Sequence, residues 1–376
     1  MKIAILVGDP EVQNTFLPKS RKWLQTNKAK QFIEKVKVQY KLKTNDEPKI
    51  VRKTIRGMKI YNSVFLYLTQ MHPEHEFALV SPKEATYSFL NSFDIVFYNF
   101  YDPVAAAVYE QDPSKGKQLE STLFKLKNKI HPPMSFSRVQ HDKCRYYGYL
   151  KKNGIHVLPF KCVTQIQWNK LKTRPEQVAF CRKILNQVQK MKWDRVFLKP
   201  VMGTSGTDTF KIKPTSTLQL QRIMTSLFRY KYPKVILQKY SRTFATPYNP
   251  EIKTYWIGNK YVYALASDKD ESYGAIKSEK GTVTYNLKDA KLFASKVMDV
   301  VNKLYRNKPS LVTRIDVGRD EGGKYFLNEI EYAPSFVTSV IPGIHKHNID
   351  KLIAKQMMNI IEHHMYKSKT LYKSIV

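Results

Sequence analysis

The chain has 376 residues, 42% of them apolar, with 64 Lys and Arg against 31 Asp and Glu for a formal net charge of +33. That length suffices for two or three units with cores of their own, the apolar fraction excludes a disordered chain, and no apolar run approaches the roughly eighteen residues of a membrane helix. So strong a positive field steers polyanions, which makes an anionic partner the first expectation, set against a lysine-biased composition spread over solvated faces.

The opening MKIAILVGD carries a single Lys and a short apolar core, too short for a secretory signal, and reads as the first strand of a cytoplasmic protein. Residues 19 to 59 are the densest basic region, with 14 Lys or Arg against Glu34, Asp46 and Glu47 and with Trp23, Phe32 and Tyr40 interleaved, a pattern suited to phosphates. FDIVFYNF at 93 to 100 reads as a second strand, which gives a small α/β unit at the front. The two prolines of HPPMSF mark a boundary, so that an N-terminal α/β unit spans 1–130 and a second body spans 131–376. HDKCRYYGYLKKNG is a helix stopping at Asn153-Gly154, and IHVLPF after it reads as a strand. Cys144, Cys162 and Cys181 lack C-x-x-C spacing and are expected to be reduced bystanders.

From residue 195 strand signals follow one another: RVFLKP, TFKIKP, KVILQKY, EIKTYWIG, KYVYALAS, SLVTRIDVG and KYFLNEIEY. Helical stretches interrupt them at about 215–230 and 288–306, and TYWIGNKYVYAL reads as a hairpin turning at Gly258-Asn259. NIDKLIAKQMMNIIEHHMYK closes the chain as an amphipathic helix. The pattern after residue 131 is α+β.

Three segments carry chemistry. Glu329 and Glu331 are two apart, so on a strand they share a face while Ile330 turns away, and Asp316 on a neighbouring strand completes a carboxylate trio. Hard oxygen ligands without nitrogen or sulfur favour Mg²⁺ or Mn²⁺; the bland reading is an exposed charged strand face paired with lysines. RVFLKPVMGTSGTDTFKI places Lys199 at a strand end before a loop through Gly203, Ser205 and Gly206, whose backbone N–H groups suit phosphate oxygens. It lacks the G-K-[ST] ending of a Walker loop. VILQKY ends an apolar strand in Gln238, Lys239 and Tyr240, a strand end able to meet an adenine edge. Ser205 lacks a His/Asp pattern and reads as a loop residue; His363 and His364 read as solvated, and His345 and Lys346 as candidates for an acceptor pocket.

In this order and spacing, the segments over residues 140 to 345 resemble the ATP-grasp superfamily, whose α+β fold closes two subdomains on ATP behind a small α/β domain. The resemblance is to the carboxylate–amine ligase type, similar to D-alanine–D-alanine ligase, ribosomal-protein glutamate ligase and tubulin-tail ligases. It implies that Lys143 and Lys199 contact phosphates, that Gly203, Ser205 and Gly206 cover them, and that Gln238, Lys239 and Tyr240 hold adenine. It implies further that Asp316, Glu329 and Glu331 hold two Mg²⁺ ions, that Arg314 lies at the transferred phosphoryl group, and that Lys253 stands where such proteins usually carry Arg. Glu331 stands where Asn is frequent, and Ser335 follows Pro334 where Gly is frequent.

The expected activity is ATP-dependent amide formation through an acylphosphate, on an amino acid or peptide of anionic character. An alternative on the same fold is a kinase for a polyanionic hydroxyl acceptor such as an inositol phosphate. An alternative of another class is a binder of nucleic acid or anionic lipid that uses residues 19 to 59 and does no chemistry.

Overall fold

The computed structural model describes residues 1–7, 60–101, 103, 113–202, 208–229, 232–246, 249–267, 273–275, 287–304, 310–332 and 346–373. The basic region 19–59, Gly203, Ser205, Gly206 and His345 lie outside these residues.

The front unit runs β1 (Lys2–Leu6), α1 (Ile60–Met71), β2 (Glu76–Val80), α2 (Tyr87–Asn91), β3 (Ile95–Phe97), α3 (Pro113–Lys125) and β4 (Ile130–His131). Its strands pair in parallel in the order β2-β1-β3-β4. The run IAIL can be apolar at every position because both faces are covered: Ile3 and Ile5 enter one core, Ala4 and Leu6 the other.

Helices α4 (Met134–Gln140) and α5 (Lys143–Lys152) lead into a second unit of β5 (Phe160–Thr164), α6 (Gln165–Asn169), α7 (Arg174–Lys190), β6 (Val196–Pro200), β7 (Phe210–Ile212), α8 (Thr217–Arg229) and β8 (Lys234–Lys239). Asp142 caps α5 by accepting from the Arg145 N–H, and Gly154 ends it at a φ of 80°, in the left-handed region. The antiparallel sheet β5-β8-β6-β7, here the small sheet, turns Val196, Leu198, Val235 and Leu237 onto α7 and α8. Its other face carries Phe160, Cys162, Phe197, Lys199, Ile236 and Gln238 by alternation and register.

The third unit comprises β9 (Glu251–Ile257), β10 (Lys260–Ser267), β11 (Tyr273–Ala275), α9 (Leu287–Leu304), β12 (Val312–Arg319) and β13 (Tyr325–Glu331), followed by α10 (Lys346–Lys373). The strands form a five-stranded sheet, β11-β10-β9-β12-β13, with antiparallel pairing throughout; it is called the large sheet below. The hairpin between β9 and β10 turns at Gly258, with a φ of 57° and Gln356 packed where a Cβ would stand. One face of the large sheet buries Ile252, Trp256, Ile315, Val317 and Ile330 against α9. On the other face Tyr255, Ile257, Leu265 and Val312 join α10 and the front sheet in one core. Ser63 of α1 donates to Asp350 of α10 at 2.5 Å within that layer.

Two expectations need correction. IHVLPF is not a strand along its length: residues 155–159 belong to no strand, Val157 alone being bridged to Leu327, and the strand begins at Phe160. Cys144 and Cys162 are not reduced bystanders, because α5 folds back against β5 and joins them in a disulfide with Cα atoms 6.3 Å apart. Cys181 is the free, buried thiol among the described residues. No helix among the described residues is long and apolar enough to cross a membrane.

Because α10 seals the front unit to the large sheet, Ile353→Ala, which empties a fully buried position, is expected to lower unfolding free energy by about 2–5 kcal/mol. Leu352→Ala, next to it on the exposed side, should change it by less than about 0.5 kcal/mol in the same denaturant titration.

Candidate functional site

Side-chain alternation gives the large sheet a divided face. Along β9 the residues turned towards the front unit are Ile257, Tyr255, Lys253 and Glu251, apolar at one end and charged at the other. On β12 the same face carries Val312, then Arg314 and Asp316, and β13 sets Glu331 opposite Arg314 and Glu329 opposite Asp316. Asp316 thus lies across from Glu329 in register, and Glu331 stands two residues further along β13. A bulge leaves Asn328 without a ladder partner, since Asp316 pairs with Glu329 and Val317 with Leu327. Asn328 and Glu329 therefore both address the charged region.

Asp316 is 1% exposed, and the Arg314 guanidinium forks onto it, Nε to Oδ1 and Nη2 to Oδ2, both at 2.7 Å. Nη2 of Arg314 also donates to Glu331 Oε1 at 2.6 Å. Lys143, the first residue of α5, pairs with Glu329 at 2.7 Å. Lys253 lies 3.4 Å from Glu251 and 3.9 Å from Asp316. Glu251 also accepts from the Asn328 amide at 2.5 Å. From the small sheet comes Lys199, buried, its ammonium over the rings of Phe197 and Tyr147 at 5.8 and 5.9 Å. The Tyr147 hydroxyl donates to the Asn328 carbonyl, fastening α5 to β13.

Lys143, Lys199, Lys253 and Arg314 thus meet Glu251, Asp316, Glu329 and Glu331, four cations against four carboxylates. The balance is strained. Burial raises the Glu331 carboxyl to about 7, opposed by Arg314 and reinforced by Glu329 and Asp316. Glu251 is raised as well, by burial and then by Asp316. Glu329 is lowered: burial raises it, and the charges of Lys143 and Lys199 outweigh that effect. Burial and then the neighbouring Lys143 charge bring Lys199 down to about 8. Arg314 is held well above its usual value because its carboxylate partners outweigh its burial. The raised carboxyls of Glu251 and Glu331 and the lowered Lys199 are groups prepared to receive a cation and an anion, respectively.

One oxygen each of Asp316, Glu329 and Glu331 lies within 4.8 Å of the others. Three hard oxygen donors so close fit a divalent cation of the Mg²⁺ or Mn²⁺ kind.

The remaining expected residues divide. Gln238 is buried on the small-sheet face that also bears Lys199. The Lys239 side chain alternates to the other side and reaches Glu321 at 3.7 Å. The Tyr240 ring receives the Lys211 ammonium at 4.4 Å and stands near Phe197. Glu251, Asn328 and Tyr147 were missed; for Glu251 the signal was present, two residues before Lys253 on the same strand face.

No protein-family model and no curated sequence matches the chain. Among solved structures it is similar to D-cycloserine synthetase DcsG, at a TM-score of 0.60 and 14% identity over 95% of this chain and 98% of that one. It is similar to D-alanine–D-alanine ligase from Bacillus anthracis complexed with ATP, at a TM-score of 0.53 and 13% identity over 96% and 99%. A third is the ATP-grasp ligase PsnB complexed with minimal precursor, at 0.50 and 13% over 94% and 98%. At these identities the likeness is one of fold.

The lowered Lys199 gives a test in stability. Holding its charge at neutral pH costs the folded state about 3 kcal/mol, from the span between 10.5 and about 8. Lys199→Met should therefore be more stable than the parent at pH 7, by an amount up to that size. Between pH 8 and 10.5 the unfolded chain keeps a proton the folded chain has lost, so parental stability gains on the variant as pH rises. Urea titrations at pH 7, 8.5 and 10 check the narrowing; a gap independent of pH contradicts it.

Proposed function

We propose that this chain, which has the α+β ATP-grasp fold, is an ATP-dependent carboxylate–amine ligase that joins its substrates through an acylphosphate. The observation that carries the reading is the convergence of Lys199 from the small sheet and Lys143 from α5 with Arg314 and the carboxylate trio of the large sheet. What the neighbours are called, D-cycloserine synthetase, D-alanine–D-alanine ligase and ATP-grasp ligase, favours ligation over phosphoryl transfer to a hydroxyl. Residues 131–376 form the nucleotide side and the front unit, residues 1–130, the acceptor side.

In this reading Lys143 and Lys199 hold phosphate oxygens of ATP, and Gln238 on the same small-sheet face meets the adenine. Asp316, Glu329 and Glu331 would hold Mg²⁺, which would supply screening of the triphosphate and withdrawal of charge from the transferred group. The acceptor carboxylate oxygen attacks the γ-phosphorus in line, the bond to the β-phosphate oxygen breaks, and ADP leaves. An amine then attacks the acyl carbon, phosphate departs, and one proton is lost as the amide forms. Arg314 and Lys253 stand over the region where the phosphoryl and oxyanion charges develop, and a cation fixed there favours the transition state over the ground state. The acceptor and the amine are small molecules or peptides, anionic in keeping with the charge of the chain.

Four outcomes test the reading. Mg²⁺ and ATP together should raise the melting temperature, and Lys199→Ala should abolish the shift. ADP release in the presence of candidate carboxylates and amines should be lost when Glu329→Gln and Glu331→Gln are combined; turnover that survives both removes the metal assignment. The product should have lost water and gained an amide, whereas a gain of phosphate on the acceptor would mark a kinase. Because burial raises the Glu331 carboxyl to about 7, the affinity for Mg²⁺ should fall as pH drops from 7.5 to 6, towards a tenfold loss per pH unit.

A further inference from the structure

We propose that the Cys144–Cys162 bond is a thiol-controlled clasp that sets how the small sheet is held over the nucleotide site; this rests on the nucleotide reading above. Cys144 follows Lys143 in the first turn of α5. That helix is docked on the large sheet, through Lys143 to Glu329 at 2.7 Å and through the Tyr147 hydroxyl to the Asn328 carbonyl. Cys162 lies in the middle of β5, opposite Ile236 of β8, on the small-sheet face that also carries Lys199 and Gln238. The disulfide therefore ties the small sheet to a helix docked on the large one, one residue from a lysine read as phosphate-facing.

The chain itself crosses between the sheets at residues 153–159, of which Val157 is pinned to Leu327 on the large sheet. A second tie lies beside the clasp, where Asp142 pairs with Lys234 of β8. Lys234 is about one-third exposed, and a pair open to water on one side contributes little. With the disulfide closed, the turn bearing Lys143 is fixed to both sheets. With it open, that ion pair and the packing of Tyr147 on Phe160 remain. Cys144 and Cys162 are each half-buried, whereas Cys181 is fully buried in the helical layer of the small sheet.

The exchange is two-electron and balanced. A thiolate of a dithiol reductant attacks one sulfur, forms a mixed disulfide and expels the other cysteine as thiolate. The second thiol of the reductant then displaces the remaining cysteine, leaving two protein thiols and a cyclic disulfide on the reductant.

The experiment measures the Kd of a non-hydrolysable ATP analogue with Mg²⁺ at 20 °C on the full chain, oxidised and after dithiothreitol, with circular dichroism confirming that both forms are folded. Alkylation and mass spectrometry count the thiols, one expected in the oxidised form and three in the reduced. Reduction should raise Kd about five- to tenfold, in the range of ordinary coupling between sites, and reoxidation should restore it. Cys144→Ser and Cys162→Ser, made separately so that one failing to fold does not end the test, should each bind at the weaker value and ignore the reductant. Equal Kd in both redox states, even with a lower melting temperature on reduction, makes the bond a structural staple and overturns the clasp. Three alkylatable thiols that no disulfide oxidant closes overturn it as well. Absence of binding in every state overturns the nucleotide reading, and the clasp with it, whereas equal binding overturns the clasp alone.

Discussion

Arg314 and Asp316 stand two apart on β12, with the guanidinium forked on the carboxylate and also reaching Glu331 across the strand pair. A buried ion pair of this kind is a weak source of stability, because removing two charges from water costs about what their attraction returns. Its consequence is organisational. Asp316 is unable to enter the interior without a partner, and the partner that two-residue spacing supplies keeps the whole charged half of the sheet face together. Lys253, Glu251 and Asn328 join it from the strands on either side. The same alternation that gathers these groups at one end places Tyr255, Ile257 and Val312 at the other, where α10 and the front sheet cover them. One β-sheet face thus serves as core and as site, and the front unit is positioned for function by the apolar residues with which it is stabilised.

The small sheet obeys the same logic with its faces assigned differently. The side packed on α7 and α8 takes Val196, Leu198, Val235 and Leu237, which leaves Lys199 and Gln238 on the opposite side, among Phe160, Phe197 and Tyr147 of α5. An ammonium there is costly, and Lys143 adds to the cost. Sheets that each bear such charges are held near one another by α5, which Tyr147 and Lys143 bind to one side and Cys144 to the other. An anion entering between the lysines removes a repulsion the protein otherwise sustains, and a cation among the carboxylates does the same for Glu331. Binding in this arrangement is favoured by relief of repulsion as well as by new contacts.

Much of this was legible because it rests on period-two alternation. Glu329 and Glu331 on one face, Ile330 on the other, and Lys199 at the end of an apolar strand all follow from residue spacing, and the strands from 195 onwards appear where the apolar runs stand. Glu251 was equally legible and was passed over, since its relation to Lys253 is the same two-residue step. What spacing does not carry is distance across the fold. Cys144 and Cys162 belong to a helix and a strand joined by a turn, and nothing in their separation of 18 residues shows that the helix folds back on the strand. Val157 was drawn into a strand by its apolar neighbours, but its pairing partner is Leu327 and not β8, a tertiary choice that overrides local propensity. Helices α6 and α7 carry capping boxes at Thr164–Gln167 and Thr173–Glu176, local signals hidden by the strand-rich pattern around them.

The net charge takes a different meaning beside the site. The four cations and four carboxylates gathered on the two sheets sum to zero, so the whole +33 resides elsewhere on the chain. Residues 19 to 59 alone supply 14 minus 3, or +11, of that excess. The two charge systems act over different ranges. Exposed lysines act through a field that salt screens over about 8–10 Å and raise the rate at which anions arrive. The buried groups act within contact distance, where screening is weak, and decide which anion stays and how it is oriented. A chain can therefore be strongly basic and still hold its reactive centre near neutrality. A centre near neutrality accepts an anion and cations of matching charge together without a net change in its own charge.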